Sequence, residues 1–169
     1  MQGYPLLKEH KLSGPSTDPA LLIPSLGPLY DRATPISYAL LRIAFGLTIL
    51  THGIPKILNR PHGSMADPMA GTTHLIETAL HLPFAPQLAF FVALLETFGA
   101  AAVALGAATR LLAPMLAVQM AFICVAIGPT YPWIDRGIEY PVILGFIALL
   151  ISFQGGGRWS VDSWIGKAL

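Results

Sequence analysis

The chain has 169 residues, of which 54% are hydrophobic and 11% charged, far from the roughly 25% charged residues of an ordinary soluble domain. Its net charge of +1 and the absence of any Lys/Arg-rich run give no basis for nucleic-acid binding. The lone cysteine, Cys124, excludes an intrachain disulfide, a CxxC redox pair and a thiolate zinc site. Within the run AFICVAIG it reads as a small hydrophobe facing lipid or a neighbouring helix.

The apolar residues are gathered into blocks of about 20, the length that crosses a hydrocarbon core of about 30 Å. Ahead of them, residues 1–35 hold six prolines, three glycines and mixed charges, and they read as a Pro-rich arm outside the bilayer. No basic start leads into an apolar run and a small-residue cleavage site, so no signal peptide is expected. The first span is expected from about Ile36 to Leu58 and is the most polar, because Arg42, His52 and Lys56 lie in it. A polar connection over residues 59–86 follows. Within it, Thr72 to Leu82 is expected to form a short interfacial helix with Leu75, Ile76, Ala79 and Leu80 on one side.

Residues 88–128 are too long for one crossing, and Thr109-Arg110 divides them into two. Helices two and three are therefore expected to form a hairpin with a tight turn at Ala108 to Leu112. Pro129, Pro132 and Pro141 punctuate the next connection, and a fourth helix is expected from about Ile138 to Phe153, stopped by Gly155 to Gly157. The expected fold is all-α: an integral-membrane bundle of four transmembrane helices over residues 36–162, with the interfacial helix between helices one and two and a tail over 163–169. Four crossings put both termini on one side. Lys8, Lys11, Arg32, Arg42, Arg110, Arg158 and Lys167 share that side, against Lys56, Arg60 and Arg136 opposite, which places both termini in the cytoplasm.

Ionisable groups in the spans are the candidates for function, because a charge in hydrocarbon costs at least a few kcal/mol and must face protein or water. Arg110, at a turn, can snorkel to the headgroups and reads chiefly as a topological anchor. Glu96 lies roughly 15 Å into helix two at helical rise, near mid-bilayer. Arg42, Gly46, Ile49, Gly53 and Lys56 recur at three- and four-residue spacing and line one stripe of helix one. Gly99, Ala100, Val103 and Ala107 give helix two a matching small-residue face, and antiparallel packing puts Glu96 between the levels of Arg42 and Lys56. Glu139 opens helix four at about the depth of Lys56. The expectation is a cavity open to the outer side and lined by His52, Lys56, Glu96 and Glu139. The alternative is that these charges neutralise one another and fix helix register. His74, Glu77 and His81 fall on one face of the interfacial helix; that is either its wet face or, with His52 or His62, a metal site.

The segments ALLRIAFGLTILTHGIPKIL and ALLETFGAAAVALGAATRLLA and the ending GGGRWSVD resemble the DoxX family of small four-helix membrane proteins. The resemblance rests on Arg42, Gly46, His52, Gly53, Lys56, Glu96, Gly99, Gly106, Thr109, Arg110 and Glu139, with Gly157, Ser160 and Asp162 at the ending. The Pro-rich head and the His-containing connection depart from the family pattern. The resemblance implies a component of the bacterial inner membrane, associated with a quinol oxidase, with quinone-dependent thiosulfate oxidation or with oxidative-stress enzymes. It also implies quinone as the cofactor of a respiratory-chain oxidoreductase.

The residues are compatible with that chemistry: the helices offer an apolar slot, His52 and Lys56 can donate hydrogen bonds, and Glu96 or Glu139 can exchange protons. Arg42 and Arg110 complete the candidate ligand-binding set. The sequence has no CxxCH and no pair of histidines placed within the spans as haem ligands, so if the protein is redox-linked its electrons come through a quinone or a partner subunit. Two classes of function fit these expectations. One is a quinone-linked redox subunit. The other is a non-catalytic adaptor, small-solute carrier or metal-handling protein, which would associate with the lipid bilayer and with a membrane protein or a second copy of itself.

Overall fold

A computed structural model describes residues 21–167. Among them the secondary structure is helical, and the sole bridge is an isolated one between His62 and Met65. After a 3-10 turn at Pro24–Leu26, α1 spans Gly27–Ile57, α2 Pro68–Thr78, α3 Ala85–Leu105, α4 Thr109–Ile127, α5 Glu139–Gln154 and α6 Val161–Ile165.

Helix α1 begins at Gly27 rather than near Ile36. Pro28 occupies its first turn, where the missing N–H costs nothing, while Pro35 and Pro55 are absorbed in its interior. At 31 residues it is about 46 Å long at helical rise and overshoots the hydrocarbon core, so its exposed Asp31 and Arg32 stand beyond the apolar part. The part of the expected arm in residues 1–20 lies outside the described residues.

Helix α2 also starts earlier than expected, because Asp67 caps it by accepting the N–H of Ala70 at 2.9 Å and Pro68 follows as its first residue. Its packing face differs from the one expected. Ile76 is buried against Ala85 and Ala89 of α3, with Met69 and Leu80 beside it, while Leu75 and Ala79 are exposed.

The turn between α3 and α4 is as tight as expected but earlier. It is made by Gly106 and Ala108, both with left-handed backbone (φ 76° and 49°), and α4 starts at Thr109. Helix α5 ends at Gly155, whose φ of 74° stops it in the expected glycine run. The chain then folds back, and the Asp162 N–H donates to the Gly106 carbonyl at 2.9 Å.

Three elements are long and apolar enough to cross a membrane: residues 24–57, α3 and α4. Helix α5 is apolar but has only 16 residues, about 24 Å at helical rise and short of a nominal crossing. Helix α1 packs along α3, and α4 along α5. Between the pairs lies one core containing Phe45, Ile49, Val103, Leu116, Leu144 and Ile151. The outward faces carry exposed Phe90, Phe98, Leu105, Val118, Phe146 and Phe153. So much exposed apolar surface is foreign to a soluble monomer and belongs against lipid.

Candidate functional site

The stripe on α1 packs as its spacing requires. Arg42, Gly46, Ile49 and Gly53 are buried, and the Lys56 side chain is almost fully buried, on the face toward α3. The two glycines let the helices touch. A Cβ on Gly46 would stand 2.6 Å from the Ala100 carbonyl oxygen, and one on Gly53 would stand 2.6 Å from the Glu96 carbonyl carbon. This contact carries the Lys56 side chain to the acid on α3.

Glu96 is 3% exposed and is held from two sides. The Lys56 ammonium donates to its Oε2 at 2.6 Å, and the Gln119 Nε2 of α4 donates to its Oε1 at 2.6 Å. Glu96 sits in a π-helical turn, Leu95–Gly99, set inside α3. Such single-turn bulges rotate side chains off the regular face and gather at functional positions. Two polar atoms beside the acid, Thr97 Oγ1 and Gln119 Oε1, are buried without a hydrogen-bond partner. Buried polar groups are normally paired, so these two leave hydrogen-bonding capacity unused beside the acid.

The other expected site residues separate into groups. His52 is half-buried, within electrostatic reach of Glu96 and Lys56, and its ring meets that of His62 edge to face at a centroid distance of 5.0 Å. Glu139 does open the last long helix, but its Oε2 accepts the Trp133 N–H at 3.1 Å and so ties down the preceding loop. The bonds to the Glu96 carboxylate come from Lys56 and Gln119.

Arg42 belongs to the opposite end of the bundle. Its guanidinium is 1% exposed and donates to the carbonyl oxygens of Ala104, Gly156 and Trp159. Beside it Tyr38 donates to the Gly155 carbonyl at 2.6 Å. The Glu96 backbone lies beside Gly53 and its carboxylate meets Lys56, toward the Lys56 end of the stripe. Arg110 is exposed, its guanidinium lying over the backbone of Gly155.

Gln119, which sequence reasoning passed over, and Asp162, which it noted in the ending without a structural role, complete these groups. Gln119 is the amide in an otherwise apolar helix, a signal obscured by attention to ionisable groups alone. Asp162 accepts from the Ala108 N–H, the Thr109 N–H and the Thr109 hydroxyl, capping α4 from the far end of the chain. The histidine group does not assemble into a metal site. α2 ends at Thr78 and His81 falls in the following turn with left-handed backbone, off the helical face shared by His74 and Glu77. Among the described residues no three His, Cys, Asp or Glu side chains lie within reach of one metal ion.

The DoxX family model matches residues 37–129, more than half of the chain. The chain belongs to the DoxX family. The match covers Arg42, His52, Lys56, Glu96, Arg110 and Gln119, so the buried cluster lies wholly inside the DoxX region, while Glu139 and the C-terminal return lie beyond it. Comparison with curated proteins and with solved structures gives no match. This DoxX-family chain is thus a membrane protein whose apolar helices enclose, among the described residues, one buried ion pair.

Proposed function

We propose that this DoxX protein is a quinone-linked subunit or accessory component of a membrane oxidoreductase, with the Glu96 cluster as its proton-handling site. The observation that carries the reading is the pair of partnerless buried atoms, Thr97 Oγ1 and Gln119 Oε1, beside a carboxylate held in a π turn. They fit a quinone head: the Thr97 hydroxyl can donate to a carbonyl and the Gln119 oxygen can accept from a hydroxyl. A bound quinone supplies two-electron, two-proton redox chemistry. Lys56 and Gln119 each hold one oxygen of Glu96 and so fix the direction of a carboxylate placed to exchange protons with the quinone. His52 and His62 extend the polar path from the cluster toward the surface loop. The electrons come from a partner protein. In this reading α5 completes a fourth crossing in the inner membrane, with both termini in the cytoplasm.

The test is quinone retention. Purified protein should carry quinone through extraction, and Glu96→Gln or Lys56→Met should lower the retained amount. Absence of quinone from both native and reconstituted protein overturns the proposal.

A second reading has its own observation. Both Glu96 oxygens already have partners within the chain, as in an ion pair that only fixes packing. A non-catalytic adaptor or small-solute carrier is the function that would then remain, and unchanged quinone content in both variants would favour it.

A further inference from the structure

On the face away from the Glu96 cluster, α4 and α5 enclose an open groove of about 850 Å³. Its walls are apolar along most of their length, with Pro114, Ala121 and Cys124 on one side and Pro141, Gly145 and Leu149 on the other. From Arg110 to Cys124 it runs roughly 21 Å at helical rise, the reach of one extended acyl chain. Arg110 closes one end. The same side chain also lines a polar crevice of about 270 Å³ formed by the Gly155–Gly157 turn and Lys167. The two cavities therefore share one cation: apolar on one side of Arg110, polar on the other.

We propose that this composite is a binding site for an anionic phospholipid, its phosphate held by Arg110 and Lys167 and one acyl chain lying in the α4–α5 groove. Charge complementarity selects this occupant. Arg110 makes no ion pair among the described residues. Among the described residues, the exposed basic ones at its end of the bundle are Arg32, Arg110, Arg158 and Lys167, against exposed Asp31. Asp162 also lines the crevice, but both its oxygens are bound to the start of α4. The acids Asp67, Glu77, Asp135 and Glu139 lie at the opposite end, near Lys56, so among the described residues Asp31 is the exposed carboxylate that a second copy packed in parallel brings to the Arg110 end. An anionic lipid carries its phosphate and its chain on one molecule. The Gly155 backbone, with φ 74°, gives the guanidinium room: a Cβ there would lie 3.1 Å from Nε.

The site is tested by native mass spectrometry of the full chain released from nanodiscs of phosphatidylcholine with a minority of phosphatidylglycerol, the acyl chains being matched. One phosphatidylglycerol should remain bound per chain in preference to phosphatidylcholine. Arg110→Gln should weaken its retention about fivefold, the change for removing one basic group from an anionic surface, and Arg110→Lys should retain most of it. Ala121→Phe, on an exposed groove position, should expel the lipid while leaving the thermal unfolding temperature unchanged. Equal retention of both lipids, retention unaffected by Arg110→Gln and Ala121→Phe, or a chain dimer in place of the lipid adduct would each overturn the assignment.

Discussion

The Lys56 ammonium and the Glu96 carboxylate meet at 2.6 Å across the α1–α3 contact, with both side chains almost fully buried. A charge pair so placed contributes little net stability when whole but costs much when broken, because the remaining charge is left without a partner in a low-dielectric interior. Lys56→Met and Glu96→Gln should each destabilise the bundle by about 3–5 kcal/mol. The double variant should recover a large part of that loss. Thermal unfolding in detergent measures all three, and additive losses in the double variant would show that the two residues do not act as a pair.

The glycines that permit this meeting are tested by enlarging them. Gly46→Ala and Gly53→Ala put a methyl group into the backbone of α3, at 2.6 Å from the Ala100 oxygen and from the Glu96 carbonyl carbon respectively. Backbone atoms cannot swing aside, so each change should cost about 1–3 kcal/mol, the range for overpacking. Gly71→Ala, whose nearest neighbour is the Met65 sulfur at 4.0 Å, should be neutral and serves as the control in the same unfolding assay.

At the other end, Asp162 supplies acceptors that α4 cannot supply for itself. Asp162→Ala removes three hydrogen bonds to Ala108 and Thr109 and should cost about 0.5–2 kcal/mol, as the loss of a helix cap does. Amide hydrogen exchange should rise at Thr109 and in α6. An unchanged exchange pattern would mean that the C-terminal return is held by other contacts.

Arg42 acts on the same return by donating to carbonyls of Ala104, Gly156 and Trp159 at once. A guanidinium reaches several acceptors in fixed directions, whereas an ammonium is a compact point charge. Arg42→Lys should therefore loosen residues 155–160, seen as faster exchange and easier proteolysis there, while leaving quinone retention intact. Loss of quinone in this variant would tie Arg42 to the candidate site after all.

Much of the bundle was legible in the sequence because hydrocarbon imposes length and composition directly. The paired apolar blocks and the stop at Gly155 are local signals that fall where the helices turn, while the break read at Thr109-Arg110 is made just before those two residues, at Gly106–Ala108. The Arg42–Gly46–Ile49–Gly53 stripe was likewise readable from helical period. Other features depend on events that no single segment records. Pro35 looks like a helix start but sits inside α1, because Pro28 had already opened that helix. The π turn Leu95–Gly99 puts an extra residue into one turn of α3 at Glu96, a local change that regular helical spacing does not record. Gln119 and Asp162 reach their partners only through tertiary contact, across 23 and 53 residues of chain for Glu96 and Thr109 respectively. Glu139 has the right depth for the cluster, yet a loop N–H takes its carboxylate.

Redox-induced infrared difference spectroscopy on reconstituted protein with added quinone tests the proposed role of Glu96 most directly. Reduction of the quinone should produce a carboxyl band that shifts in deuterium oxide, disappears in Glu96→Gln and persists in Glu139→Gln. A spectrum identical in wild type and Glu96→Gln would contradict proton exchange at this site and leave the Lys56–Glu96 pair a packing element.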